Sequence, residues 1–281
     1  MRSLLFVPAD SERKISKALA SAADVVILDL EDSVAPERKE AARSIAAACL
    51  AGHAKPQPQL FVRVNPRSTG LLSSDLESIL PAGPDGLMLP KVEGGADVLE
   101  VAERLPAPLP VIAIVTESAK ALFALSSLLD AVPPLVGMAW GAEDLSSDLG
   151  AAASRDAAGG LTDPYRLART LCLLAARAAG VEPIDTVYLD FRDRDGLDAE
   201  CAAAMRDGFS AKLAIHPDQI DIINRAFTPS SNAIAEARAV IDAFAAAGDA
   251  GVVAIDGRMY DIPHRRRAEK LLARAARYRT A

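Results

Sequence analysis

Short apolar runs alternate along the chain with longer segments that have the apolar spacing of helices. The runs are rich in β-branched residues and lack a regular polar alternation, which is typical of parallel strands covered on both faces. Such strands occur where helices pack on both sides of a sheet or around a barrel. The eight predicted strands cover residues 3–7, 25–30, 60–64, 86–89, 111–115, 135–139, 186–189 and 212–215.

Ala- and Leu-rich segments with helical spacing predict helices between these strands. Pro36 lies at one predicted start and Gly180 just past one predicted end, where each residue is favoured. Eight strands, most of them followed by a helix, predict a TIM (β/α)8 barrel over residues 1–228. An open, doubly wound sheet is the alternative, although no GxGxxG motif follows the first strand, where the turn is Pro8-Ala9-Asp10. The predicted helices cover residues 11–22, 36–50, 98–105, 119–129, 165–179 and 199–207.

The pattern changes after Pro229. Residues 229–281 exceed what a barrel needs, and they predict a C-terminal helical lid or an arm that reaches a neighbouring subunit. The predicted elements are a helix over 230–247, a turn over 248–251, a short strand over 252–255, a turn at 256–257 and a basic helix over 265–278.

Composition limits the class of protein. The chain has 281 residues, of which 51% are hydrophobic and 25% charged, so it is long enough for one barrel with an appendage. A net charge of -7 disfavours nucleic acid as a partner. The three cysteines show no CxxC spacing, and no apolar run reaches the roughly 18 residues of a membrane helix. We therefore expect a soluble, cytoplasmic protein with no membrane partner.

Acidic residues follow two neighbouring predicted strands. In a TIM barrel the chemistry gathers at the carboxyl ends of the strands, so the side chains of Glu117 and Asp144 are expected to converge there. Two carboxylates with several waters are a usual way to hold Mg²⁺ when a substrate completes the coordination. Both residues are also consistent with acids in the first turn of a helix, where the helix dipole favours them. The spacing alone leaves both interpretations open.

Arg63 lies within an apolar predicted strand. A buried arginine is costly unless it is paired, so its position requires a partner. A structural salt bridge with Glu31 or Asp32 is one interpretation, and a guanidinium directed at a substrate carboxylate or enolate is the other. The two acids, which follow the second strand, are expected either to hydrogen-bond metal-bound water or to pair with Arg38.

Eight motifs occur in the order seen in the citrate lyase β-subunit-like proteins. The chain resembles that family, which belongs with the HpcH/HpaI aldolases in the pyruvate/phosphoenolpyruvate barrel superfamily and includes malyl-CoA, citramalyl-CoA and citryl-thioester lyases. The resemblance implies a TIM barrel, usually a homotrimer or homohexamer, that binds Mg²⁺ and a thioester of CoA or of an acyl carrier. The motifs are RSLLFVPA, LDLEDSV, VRVN, GLMLPK, the TE of PVIAIVTES, WGAEDL, KLAIHPDQI and DGRMYDIP.

The resemblance also implies roles for single residues. Glu117 and Asp144 match the metal ligands of the family. Arg63 matches the arginine that contacts the reacting carbonyl, and Glu31 and Asp32 match the acidic pair near the metal-bound water.

Further assignments come from the last motif and from the segment that follows the first. Asp261 matches a catalytic acid that the tail delivers to the site of a neighbouring subunit. Arg13 and Lys14 are the candidates for contacts with the CoA phosphates. The chain departs from the family pattern at residues 210–211, where a glycine is usual, and at Thr116, where isoleucine is commoner, and neither position is a proposed ligand.

The expected activity is therefore that of a Mg²⁺-dependent carbon–carbon lyase. Its substrate would be a 3-hydroxy-carboxyacyl-CoA thioester such as malyl-CoA or citramalyl-CoA, cleaved into, or formed from, an acyl-CoA and a 2-keto acid. One alternative is a citryl-thioester lyase β subunit that acts beside an acyl-carrier partner. The other is an aldolase for free 2-keto acids.

Overall fold

The computed structural model describes residues 1–54, 58–105, 108–248 and 250–278. Eight parallel strands form a closed barrel in which each strand pairs with the next along the chain, and the eighth pairs with the first. The predicted TIM barrel is therefore confirmed. The barrel strands are β1 (Ser3–Pro8), β2 (Val25–Asp29), β3 (Gln59–Arg63), β4 (Gly86–Leu89), β5 (Val111–Ile114), β6 (Leu135–Ala139), β7 (Glu182–Asp185) and β8 (Ala211–Ala214).

Helices follow most of the strands. In the described part of the chain, no helix has both the length and the apolar character needed to cross a membrane. The helices are α1 (Glu12–Leu19), α2 (Lys39–Gly52), α3 (Leu72–Ile79), α4 (Gly95–Glu103), α5 (Ala119–Ala124), α6 (Ala142–Leu149), α7 (Asp163–Ala179), α8 (Arg194–Asp207), α9 (Ile220–Phe227), α10 (Ser231–Ala246) and α11 (Ile262–Arg277). Short 3-10 turns cover Pro36–Arg38, Arg67–Thr69, Leu80–Ala82, Leu125–Asp130 and Pro217–Gln219.

Alternate residues of the strands fill the barrel interior. Ile27, Phe61 and Ile112 belong to one buried apolar cluster that collects side chains from the strands. Because side chains alternate across a strand, the residues between them face the surrounding helices. Gly86 lies opposite Phe61 across the β3–β4 pair, and a Cβ atom there would lie 2.2 Å from the Phe61 ring. The large aromatic ring therefore requires the glycine beside it.

The seventh strand corrects the sequence prediction. Seven predicted strands agree with the structure within one residue at each end, but β7 covers Glu182–Asp185 rather than residues 186–189. Apolar content marked the wrong segment, because this strand contains two acids and a proline. The buried carboxylate of Asp185 accepts hydrogen bonds from Trp140 and Arg169, and Lys212 lies 3.4 Å away. Such pairing allows an acid to lie in a buried strand.

Residues Arg225–Ala281 form a second compact unit, separate from Met1–Asn224. Within it, α10 and α11 pack with a hairpin of β9 (Val252–Ile255) and β10 (Arg258–Asp261). Asp256 and Gly257 both have positive φ angles, of 49° and 75°, which is the pattern of the tight turns that join twisted antiparallel strands. The sequence predicted this turn and β9 but not β10.

Candidate active site

Arg63 is held by two acids at the carboxyl ends of β2 and β3. Its Nε donates to Asp29 Oδ1 and its Nη2 to Asp29 Oδ2, both at 2.7 Å, and its Nη1 lies 2.9 Å from Glu31 Oε2. The arginine side chain is 12% exposed and that of Asp29 only 1%, so the pairs are largely shielded from water. Two parallel N–H···O bonds fix both the position and the plane of the guanidinium.

The structure therefore places Arg63 beside Glu31, which agrees with the salt bridge that the sequence analysis gave as one interpretation. The main partner, Asp29, was given no role by the sequence analysis. The available signal was its position in β2, directly opposite Arg63 across the parallel pair.

The two acids that hold the arginine differ in how readily they take a proton. Burial opposes ionisation of Asp29, but the charge and hydrogen bonds of Arg63, with further bonds from Ser33 and the Glu31 N–H, lower its pKa below the ordinary value. Burial raises the pKa of Glu31, even though Arg63 and Lys91 both favour its ionised form. Asp29 is therefore the acid that stays ionised beside Arg63, whereas Glu31 takes a proton more readily.

Glu117 and Asp144 converge beyond the ends of β5 and β6, which are neighbours in the barrel. Glu117 is 5% exposed, whereas the side chain of Asp144, in the first turn of α6, is 33% exposed. Burial raises the pKa of Glu117 well above its ordinary value, and the nearby charges of Asp144 and Glu31 add to this effect. Carboxylates this close repel each other unless a proton or a cation lies between them.

Gly141 makes room for the buried carboxylate. A Cβ atom at Gly141 would lie 2.7 Å from Cγ of Glu117 and 3.3 Å from its Cδ. Real Cβ contacts are essentially never shorter than 3.0 Å, so the Glu117 side chain passes through space that only a glycine leaves free.

Lys91 links the acids of the two sides. Its backbone N–H donates to Glu117 Oε2. Its Nζ lies 2.7 Å from Glu31 Oε1, 3.2 Å from Asp144 Oδ1 and 3.3 Å from Asp32 Oδ2. The structure thus brings the four acids predicted beyond the strand ends into contact with one lysine. The sequence analysis gave Lys91 no role, although it lies just after the fourth predicted strand, where functional residues are expected.

A second lysine holds the segment after β2. Lys39 Nζ donates to the carbonyl oxygens of Leu30 and Glu31, at 2.7 and 2.8 Å, and to Asn65 Oδ1 at 2.8 Å. Asn65 in turn donates through its backbone N–H and its Nδ2 to the buried carboxylate of Asp75. These bonds fix the backbone that carries Glu31, and the sequence analysis assigned a role to none of the three supporting side chains.

The donor set suits a hard divalent cation. No group of three or more His, Cys, Asp and Glu side chains arranged to hold a metal occurs among the described residues. Glu117 and Asp144 instead offer two carboxylates, and Mg²⁺ is commonly held by one or two carboxylates together with waters and substrate oxygens. The residues present therefore fit Mg²⁺ better than a metal that needs a complete protein cage.

Two cavities open beside these acids. One of about 650 Å³ is lined by Glu117 and Asp144, and one of about 530 Å³ by Glu31 and Asp32, and Lys91 lines both. Volumes of this size are usual for small-molecule sites. The acids therefore face space that a substrate can enter.

The remaining predicted residues lie elsewhere. Arg13 and Lys14 are exposed in α1, after β1. Asp261 belongs to the C-terminal unit, where it is the N-cap of α11 and is 41% exposed. Its Oδ1 lies 2.6 Å from Nδ1 of His264, and this bond lowers the pKa of Asp261.

Comparison with known proteins gives this geometry a family. The model of the HpcH/HpaI aldolase/citrate lyase family matches residues 2–217, and that of the C–C bond lyases of the TIM-barrel fold matches residues 163–280. These matches confirm the resemblance inferred from the motifs.

Individual relatives align over nearly the whole chain. A citrate lyase subunit beta-like protein of Mycobacterium tuberculosis is 41% identical over 96% of this chain and 94% of its own length. A (3S)-malyl-CoA thioesterase of Cereibacter sphaeroides is 38% identical over 98% of this chain and 94% of its own. The crystal structure of the protein CitE from Mycobacterium tuberculosis, in complex with magnesium, acetoacetate and coenzyme A, superposes with a TM-score of 0.83 at 40% identity over 98% of each chain. The chain therefore belongs to the HpcH/HpaI aldolase/citrate lyase family.

Proposed function

We propose that the chain is a Mg²⁺-dependent carbon–carbon lyase that cleaves, or forms, a 3-hydroxy-carboxyacyl-CoA thioester such as malyl-CoA or citramalyl-CoA. The products of cleavage are an acyl-CoA and a 2-keto acid. The observation that carries the proposal is the convergence of Glu117 and Asp144 beside Lys91 at the barrel mouth. Support also comes from the family and from the related structure that contains magnesium, acetoacetate and coenzyme A.

Glu117 and Asp144 are the residues that would hold the metal. When bound, Mg²⁺ supplies a Lewis acid for the oxygens of a hydroxy or keto carboxylate. Glu117 follows β5 and Asp144 lies in the first turn of the helix after β6, so the barrel brings both carboxylates to the same end. Glu31 and Asp32, which pair with Lys91 from its other side, would hydrogen-bond water bound to that cation.

Arg63 is proposed to stabilise negative charge on the substrate. A guanidinium has five N–H bonds, and two of them donate to Asp29, while Nη1 lies 2.9 Å from Glu31 Oε2 as an ion pair without a hydrogen bond. The remaining N–H groups are available to donate to a carbonyl oxygen on which charge develops. Because the two acids fix the plane of Arg63 in advance, little reorganisation is needed during the reaction.

Asp261 is proposed to exchange a proton with the enolate carbon of the acyl thioester in a neighbouring subunit. His264 lowers its pKa, so Asp261 is ionised at neutral pH and acts as the base in condensation. In cleavage the protonated form returns the proton to the enolate. This role requires a neighbouring subunit. On the family resemblance we propose a homotrimer or homohexamer in the cytoplasm, in which residues 229–281 serve as a lid.

Arg13 and Lys14 are proposed to contact the CoA phosphates. Both are exposed in the helix that follows β1, so they lie near the carboxyl end of a barrel strand. Exposed cations at that end of the barrel suit a charged, mobile ligand tail.

Thioester hydrolysis is a second candidate, favoured by the thioesterase that is 38% identical to the chain. A lyase and a thioesterase would bind the same malyl-CoA but break different bonds. The lyase breaks a carbon–carbon bond and leaves acetyl-CoA and glyoxylate, whereas the thioesterase breaks the thioester and leaves free CoA and malate.

Product analysis tests both candidates at once. The purified protein is incubated with malyl-CoA or citramalyl-CoA and Mg²⁺, and the products are identified by mass spectrometry, with Glu117→Gln as the control. Acyl-CoA with a keto acid supports the lyase. Free CoA with the hydroxy acid would instead show a thioesterase. Turnover only after an acyl-carrier protein is added would instead show a citryl-thioester lyase subunit.

A further inference from the structure

Lys91 has an unusual backbone. It has a φ angle of +52°, and Asp256, which forms the hairpin turn, is the other non-glycine residue with a positive φ in the described chain. A residue with a long side chain adopts this left-handed conformation only at a steric cost. Lys91 lies two residues past the end of β4, which is a parallel barrel strand and not part of a hairpin, so its conformation needs another explanation.

The contacts of Lys91 provide that explanation. The left-handed backbone directs its N–H at the buried carboxylate of Glu117, which is 5% exposed. The side chain runs to the other acids and places its ammonium 3.2 Å from Asp144 and 2.7 Å from Glu31. The main chain and the side chain of one residue thus act on different carboxylates of the same site.

These two contacts affect a bound divalent cation in opposite directions. An N–H that fixes the Glu117 carboxylate reduces the reorganisation needed when the carboxylate binds a metal. An ammonium beside Asp144 instead adds positive charge, which repels a second cation across a few ångströms. In a partly buried site such a charge changes the binding energy of a divalent ion substantially, because the interaction is proportional to both charges and water screens it less than on the surface.

We propose that Lys91 is a positioning residue that sets the Mg²⁺ affinity of the site, strengthening binding through its backbone N–H and weakening it through its ammonium. The inference rests on the proposed function, since it takes Glu117 and Asp144 as the metal ligands. The ammonium also keeps the carboxylates of Glu31 and Asp144 together on either side of it. The lysine thereby orders the site while keeping Mg²⁺ affinity low enough for the metal to exchange.

Three substitutions separate the two effects. Lys91→Met removes the charge but keeps an unbranched side chain, so the backbone retains its conformation at a similar cost. Lys91→Val also removes the charge and adds a β-branched side chain, which disfavours a positive φ and turns the N–H away from Glu117. Lys91→Arg keeps both the charge and an unbranched stem.

The measurement is calorimetric titration of Mg²⁺ into EDTA-treated protein, after circular dichroism has verified folding. We expect Lys91→Met to bind Mg²⁺ about tenfold more tightly than the wild type, and Lys91→Val to bind more weakly than Lys91→Met by a similar factor. Lys91→Arg stays within about threefold of the wild type. Lys120→Met is the matched control, since Lys120 pairs with Glu93 at 2.6 Å and is 74% exposed, and its Mg²⁺ affinity stays unchanged.

The direction of the change is decisive. A lysine that served only to hold the structure together would give weaker binding on removal, so weaker or unchanged binding by Lys91→Met overturns the charge effect. Equal Mg²⁺ affinities of Lys91→Met and Lys91→Val overturn the backbone effect. This comparison is independent of the charge effect, because both variants lack the ammonium. Glu117→Gln is titrated alongside, because wild-type affinity in that variant disproves the proposed metal ligands themselves, independently of Lys91.

Discussion

The side chain of Glu117 passes through the space that a side chain at Gly141 would fill, with 2.7 Å between Cγ of Glu117 and the Cβ position of the glycine. The two residues follow neighbouring barrel strands, so the pairing of β5 with β6 brings their backbones close together. The position of a proposed metal ligand therefore depends on the absence of a side chain across the barrel mouth.

Gly141→Ala tests this dependence. The added methyl group must displace the Glu117 carboxylate, so we expect Mg²⁺ affinity and kcat each to fall at least about tenfold while the protein stays folded. The matched control is Gly52→Ala, since Gly52 ends α2 with nothing within 4 Å of its Cβ position. Wild-type Mg²⁺ affinity in Gly141→Ala, measured by calorimetry, would show that Glu117 is not a ligand in this geometry.

Substitution of the proposed ligands should separate metal binding from folding. Glu117→Gln and Asp144→Asn keep the shape of each side chain and remove a metal-binding oxygen anion, so Mg²⁺ affinity and most activity are expected to be lost. The readout is the rise in melting temperature that saturating Mg²⁺ gives the wild type. If both variants keep that rise and wild-type Mg²⁺ dependence of turnover, the assignment is wrong.

Asp185 is expected to make folding sensitive to acid. Burial opposes its charge, but Lys212, Arg169 and Trp140 lower its pKa in the folded state below the ordinary value. Its contribution to stability is therefore complete above the ordinary pKa of aspartate and is lost as pH falls towards the folded pKa.

Asp185→Asn should accordingly lower the free energy of unfolding by about 1–3 kcal/mol at pH 7, because it removes the buried anion that Lys212 and Arg169 share, although each cation keeps a second acidic partner. Its stability should also fall less steeply than that of the wild type between about pH 5 and pH 3. Urea titrations at several pH values measure both effects. Asp163→Asn is the control, since its 91% exposed side chain should contribute less than about 1 kcal/mol. Equal losses in the two variants would refute the prediction.

Asp261 offers a test of the proposed shared site. If its carboxylate acts on a neighbouring subunit, chains carrying Asp261→Ala and chains carrying Glu117→Gln should restore activity to each other when their subunits exchange. Mixed oligomers would contain some sites with both residues intact. Each variant incubated alone is the control, and exchange is followed with differently tagged chains.

Two results would exclude the shared site. The first is full activity of Asp261→Ala alone. The second is a mixture that stays inactive although the tagged chains have exchanged.

The barrel could be predicted because its signal is local. Apolar β-branched runs such as residues 111–115 mark strands wherever both faces are covered, and helical spacing marks the segments between them. The seventh strand escaped this reading, because Asp185 is tolerated only through Trp140, Arg169 and Lys212, which are distant in sequence. A local sequence pattern cannot predict that a charged residue is buried in a strand when its partners come from other elements.

The sequence by itself determined the eightfold alternation, the acids and arginine at the strand ends, and, through ordered motifs, the family. Only the tertiary structure decided that Asp29 is the main partner of Arg63, that Gly141 clears the path of Glu117, and that Lys91 contacts four acids. These relationships depend on strand register, on backbone angles and on distances of a few ångströms between residues far apart in the chain. The order of residues specifies which groups are present, whereas closure of the barrel specifies which of them meet.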